Sequence, residues 1–178
     1  LWDETTKEAF LFDPSLCYSK VVDFIEKNNL KLKALFVTHA HFDHVGDIKK
    51  YQDNFPCVKT YLPEKDIFLY ENFQMQSALF GVKRVEEFRV DEFINENSKI
   101  YLQNGKKLEI IETSGHTKGS VCYLVENFLI AGDTLFYEEI GRCDLPTGSY
   151  SDIENSIKNK LFKLDDNVVV YTGHGAST

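Results

Sequence analysis

The stretch VTHAHFDHVGD, residues 37–47, holds three of the chain's five histidines: His39, His41 and His44, with Asp43 directly before the last. It follows KALFV (33–37), a short apolar run that reads as a buried strand. Residues i and i+2 of extended backbone point the same way, so His39 and His41 can address one ion. Asp43 and His44 are adjacent and diverge toward a neighbouring point. Six residues therefore offer ligands to two centres. A solvated histidine-rich loop is the plainer reading of any one histidine. The H-x-H-x-D-H spacing behind a buried strand favours the ligand reading.

Working outward, strands and helices alternate. EAFLFD (8–13) reads as a strand ending at Pro14, and Val21, Val22, Phe24 and Ile25 mark an amphipathic helix between Ser15 and Asn29. Val45, Ile48, Tyr51 and Phe55 predict a helix right behind the histidine cluster. VKTYL (58–62) is a further strand, and Pro63 opens an interrupted helical segment reaching about Phe80. The charged stretch 81–98 gives no clear element. KIYL (99–102) and KLEIIET (107–113) flank the turn NGK, and VCYLV and FLIAGD flank a tight hairpin turn at Glu126-Asn127. Ser151 and Glu154 form a capping-box pattern before SIKNKLFKL, and VVVYTGHG closes the chain as a buried strand running into a glycine-framed histidine.

The polar chemistry follows strand C-termini throughout: Asp13, His39 to His44, His116 in TSGHTKGS, Asp133 in IAGDTLF, and His174 in TGHG. Layered α/β folds gather active sites at such ends. Asp133 alone could be a loop cap; among five histidines it reads better as a carboxylate bridging two metal ions. His39, His41, His116 and Asp133 make one shell, and Asp43, His44, His174 and Asp133 the other. A structural zinc site is closed and usually cysteine-rich. This set has only nitrogen and oxygen donors, suited to Zn2+ first and also to iron or manganese. Two such ions lower the pKa of bound water to about 7, which points to metal-assisted hydrolysis.

Composition sets the outer bounds. The 178 residues suffice for a single metallo-hydrolase domain spanning 1–178, with Leu1 and GHGAST reading as trimmed ends. A net charge of −8 argues against nucleic acid as a partner. Apolar runs such as ALFV (34–37) are too short for a membrane span. Cys17, Cys57, Cys122 and Cys143 form no CxxC pair and read as reduced thiols of a cytoplasmic protein.

With these motifs in place, the chain resembles the metallo-β-lactamase superfamily, whose mark is H-x-H-x-D-H followed by separated His, Asp and His. The resemblance implies an α/β fold of αββα layers, two mixed sheets packed face to face with helices outside, and the two shells named above. GDTLF followed by IGRCDLPTGSY resembles compact bacterial glyoxalase II enzymes, the hydroxyacylglutathione hydrolases. That implies hydrolysis of a small-molecule thioester such as S-lactoylglutathione by a metal-bridging hydroxide, with Asp43 and Asp133 as the catalytic carboxylates. An anionic substrate implies a rim cation, Arg142 first and Lys118 second, each also readable as an ordinary surface charge. Asp13 is either an acceptor for a ligand imidazole N–H or the start of an Asp-Pro turn. Three departures stand out: the chain ends before the C-terminal helical region of longer glyoxalase II enzymes, Ala176 stands where they carry tyrosine, and Cys143 replaces a threonine or serine. Cys143 reads as a small packed residue. The alternative function is a mononuclear iron persulfide dioxygenase using His39, His116 and Asp133.

Overall fold

A computed structural model describes residues 1–15, 17–81, 86–102 and 105–175. The chain divides into two compact units, one formed by Leu1–Leu62 with Ile67–Phe93, the other by Pro63–Asp66 with Ile94–Thr178.

The first unit is built on β1 (Glu8–Phe12), α1 (Tyr18–Lys27), β2 (Lys31–Phe36), α2 (Phe42–Val45), α3 (Ile48–Asn54) and β3 (Lys59–Pro63). After a 3-10 turn at Glu64–Asp66 come α4 (Ile67–Glu71), α5 (Phe73–Leu79) and β4 (Glu92–Ile94). The four strands form one sheet in the order β1-β2-β3-β4. β1 and β3 both run parallel to β2, each reached through helical crossovers. The expected apolar periodicities are the packed ones: Val45, Ile48 and Tyr51 join Leu35, Val37 and Leu62 in one core, with Phe55 against its edge. Leu35 and Val37 are fully buried, each removing side-chain area that stabilises the fold by roughly 1.5–3 kcal/mol. In α1 only Ile25 is buried; Phe24 turns outward, edge-on to Trp2 at 5.4 Å.

The second unit carries β5 (Ile100–Tyr101), β6 (Lys107–Glu112), β7 (Val121–Val125), β8 (Phe128–Gly132), α6 (Tyr150–Asn159) and β9 (Val169–Thr172). Its sheet runs β5-β6-β7-β8-β9, antiparallel as far as β8, with β9 parallel to β8. The β7–β8 hairpin turns on Glu126-Asn127 as expected, Glu126 taking a φ of 52°. Ile153 and Ile157 of α6 pack with Leu161 against Cys122, Leu129 and Ala131.

The cap of α6 falls two residues earlier than the Ser151/Glu154 pattern implies. Ser149 is the N-cap, and its side chain accepts the Asp152 N–H. Both serines have an acid three residues on, and spacing alone cannot choose between them. Asn104 of the NGK turn lies outside the described residues, while Gly105 takes a φ of 79°. All four cysteines are free thiols. No helix among the described residues is long and apolar enough to cross a membrane.

Candidate metal centre

In the first unit the donors gather beyond β2. The helix behind the cluster begins inside it: α2 starts at Phe42, so Asp43 and His44 stand on its first turn. His39, His41 and His44 are all buried. The His39 ring lies 4.8 Å from that of His41 and 4.0 Å from that of His44. The three rings stand close together, as ligands to neighbouring ions would.

Asp13 fixes how these rings are protonated. It follows β1 with a φ of 48°, a left-handed conformation that Asp tolerates better than most residues. Its Oδ1 accepts the Thr38 N–H at 2.7 Å, and its Oδ2 accepts the Thr38 hydroxyl at 2.7 Å and lies 2.9 Å from His44 Nδ1. Since an ionised carboxylate only accepts, His44 carries its hydrogen on Nδ1. The Thr38 hydroxyl has given its one hydrogen to Asp13, so at His39 Nδ1, 3.0 Å away, it can only accept. His39 is therefore also the Nδ1–H tautomer. Both rings keep Nε2 as an electron-pair donor, the state in which imidazole binds a metal.

In the second unit His116 lies in the loop between β6 and β7, Asp133 directly after β8, and His174 two residues beyond β9. His116 Nδ1 is 2.8 Å from the Arg142 carbonyl, which cannot donate, so this ring too carries Nδ1–H. Its Nε2 stands 3.7 Å from Asp133 Oδ2, and His174 Nε2 stands 3.5 Å from the same oxygen. Glycines permit this approach. At Gly141 a Cβ would come within 1.8 Å of the Asp133 carbonyl oxygen. At Gly115, with φ 143°, it would meet the Ile153 backbone nitrogen at 2.2 Å.

The GRCD stretch contributes differently from its expected role. The Arg142 guanidinium makes two 2.7 Å bonds to Asp144, which hold the Asp144 carboxyl down at about 2. Arg142 reaches the donors through its carbonyl. Burial, then the charge of Asp144, raises the Cys143 thiol above its ordinary pKa, away from the reactive thiolate. Lys118 is exposed, two residues beyond His116. Ala176 lies outside the described residues.

Do these residues fit a metal? His116 Nε2 and Asp133 Oδ2 are both electron-pair donors, and two such atoms facing each other call for a proton or a cation. Ligands bound to one zinc ion at about 2.0–2.2 Å stand about 3–4 Å apart, as these atoms do. The donor set, imidazole nitrogens and carboxylate oxygens alone, suits divalent metal ions. Sequence reading did not find Thr38 or the Arg142 carbonyl. A hydroxyl beside a histidine and a main-chain oxygen carry no spacing signature.

Comparison with known proteins agrees with this chemistry. Residues 2–174 match the Metallo-beta-lactamase superfamily profile. The chain belongs to that superfamily. Hydroxyacylglutathione hydrolase GloC of Haemophilus influenzae is 34% identical over 180 residues, covering 100% of this chain and 84% of that protein. Among solved structures, the BLEG-1 B3 metallo-beta-lactamase superposes with a TM-score of 0.91 at 30% identity, covering 100% of this chain and 86% of that one. TTHA1623 in a di-iron-bound form gives a TM-score of 0.83 at 27% identity, with coverages of 94% and 82%. The two sheets with their flanking helices are the metallo-β-lactamase fold, and the chain is a metallo-hydrolase of that superfamily.

Proposed function

We propose that the enzyme is dinuclear and hydrolyses a small-molecule thioester of the S-lactoylglutathione type. His39, His41 and His116 would hold one ion and Asp43, His44 and His174 the other, with the Asp133 carboxylate available to both. The carrying observation is that one oxygen, Asp133 Oδ2, faces both His116 Nε2 and His174 Nε2, one donor from each proposed shell. The full-length likeness to the hydroxyacylglutathione hydrolase of Haemophilus influenzae supports the substrate class. Zinc suits the imidazole-rich set, and the di-iron form of TTHA1623 makes iron the second choice.

When bound, the ions supply a hydroxide nucleophile at neutral pH and charge to stabilise the developing oxyanion. The chain's own groups prepare for this. Asp13, through Thr38 and His44, and the Arg142 carbonyl, through His116, hold three imidazoles with Nε2 as donor. Asp43, on the first turn of α2, adds a carboxylate beside His44, with Oδ2 4.0 Å from His44 Nε2. Asp43 and Asp133 are the carboxylates of the proposed catalytic set. A thiolate leaves without strong acid assistance, so the absence of a dedicated general acid from this set suits a thioester. Arg142 is paired with Asp144, and Lys118 is the other expected cation for an anionic substrate.

The test is hydrolysis of S-lactoylglutathione and a thioester panel by the metal-loaded protein. Activity should vanish on chelation and return with Zn2+; a fully loaded protein inert to the whole panel overturns the reading. The likeness to BLEG-1 favours a second reading, β-lactam hydrolysis, which a chromogenic cephalosporin assayed in parallel decides. Oxygen uptake with glutathione persulfide would instead assign the dioxygenase.

A further inference from the structure

A carboxylate outside all of these assignments clasps the loop that carries His116. Asp66 ends the 3-10 turn Glu64–Asp66 and is 1% exposed. Its Oδ1 accepts the Gly119 N–H at 2.8 Å, and its Oδ2 accepts the Thr117 hydroxyl at 2.9 Å. That commits the only hydroxyl hydrogen of Thr117. Ser120 Oγ, 2.8 Å away, must therefore donate to Thr117 Oγ1, while accepting the Thr117 N–H at 3.0 Å. The loop is tied off by Thr113 N–H to the Ser120 carbonyl and Gly115 N–H to the Thr117 carbonyl, both at 2.8 Å. Hydrogen-bond directions thus run one way from Ser120 through Thr117 to Asp66.

The fit is close enough to require glycine opposite. A Cβ at position 119 would stand 2.4 Å from the Asp66 backbone nitrogen and 2.6 Å from Oδ1. Burying a carboxylate is costly unless it is fully hydrogen-bonded, so this clasp exacts a local cost that loop closure alone does not require. Its two donors lie one and three residues beyond His116. The His116 ring is meanwhile anchored from its other end at Nδ1 by the Arg142 carbonyl. Holding the 117–119 backbone and the ring's Nδ1 together leaves Nε2 one direction to face.

We propose that Asp66 is a positioning residue of the metal centre, setting the aim of His116 by fixing the backbone of residues 117–119. This rests on the dinuclear reading above. Asp66→Asn preserves the shape but places an N–H group where Thr117 or Gly119 now donates. Loss of such an outer partner typically weakens metal binding by about 10- to 100-fold.

The experiment is a Co2+ titration of the whole protein against a competing chelator, read by the cobalt ligand-field bands, with circular dichroism as the folding control. The wild type should bind two ions. Asp66→Asn should bind one as before and the other at least about 10-fold more weakly, with an altered band for that site. If Asp66→Asn does not fold, Thr117→Val should reproduce the effect and Thr117→Ser, which keeps the hydroxyl, should not. Variants that fold and bind both ions like the wild type, with unchanged bands, overturn the proposal and leave the dinuclear reading standing. A wild type that binds no ion overturns both.

Discussion

Asp13 shows how one side chain can settle the protonation of two others. Three groups converge on its carboxylate: the Thr38 N–H, the Thr38 hydroxyl and His44 Nδ1. Through that hydroxyl it also decides the tautomer of His39. In Asp13→Ala, both rings should be released to sample the wrong tautomer and orientation. We expect metal affinity to fall by about 10- to 100-fold, measured by chelator competition. Affinity within twofold of wild type would show that Asp13 closes an Asp-Pro turn and little more. At this scale the proposed donors were legible, because six of the seven named residues are histidines or sit among them. What aims them was not. Thr38 looks like any strand-end threonine, and Asp66 in the run PEKD looks like one more solvated charge. Their burial is a product of the fold.

Elements with a local period were legible. The β7–β8 hairpin, the packed face of α3 and the strand preceding the histidines all follow from residues within a few positions of one another. The stretch 81–98 was not, because what orders its described part is distant in sequence: Phe88 packs against Tyr70 and Phe73, and polar groups tie 89–91 to β3. Asp91 Oδ2 accepts the Thr60 N–H at 2.8 Å, Arg89 Nε donates to Asp91 Oδ1 at 2.8 Å, and Arg89 also reaches the Val58 carbonyl at 3.0 Å. Gln52 donates to the Arg89 carbonyl at 2.6 Å. These polar contacts, with Val90 packed on the core beside them, bring 89–91 onto β3. For Asp91, burial raises the carboxyl pKa, but the Arg89 and Thr60 hydrogen bonds and the Arg89 charge outweigh it, leaving the pKa below its ordinary value.

The sign follows directly. A depressed folded pKa adds stability that is complete above the unfolded value, about 3.9, and is lost as pH falls through the folded one. Asp91→Asn should cost about 1–2 kcal/mol at pH 7 in urea unfolding, and the gap from wild type should narrow near pH 3. A gap independent of pH would mean that the carboxylate charge contributes nothing.

Across the whole molecule, donors are divided between the units: His39, His41, Asp43 and His44 in the first, His116, Asp133 and His174 in the second. All sit at or just beyond strand C-termini, in a mostly parallel sheet and in one whose last pair is parallel. That placement was readable from the sequence because every donor follows an apolar run. The hydrogen-bonded supports were not, since they join segments 25 to 53 residues apart. These seven residues are proposed to hold two ions per chain. Elemental analysis of metal content per chain, on protein purified without added metal and again after zinc loading, is the test. Two ions per chain are expected after loading, with Asp133→Ala retaining at most one. A loaded wild type with a single ion, or an Asp133→Ala variant that still holds two, would contradict it.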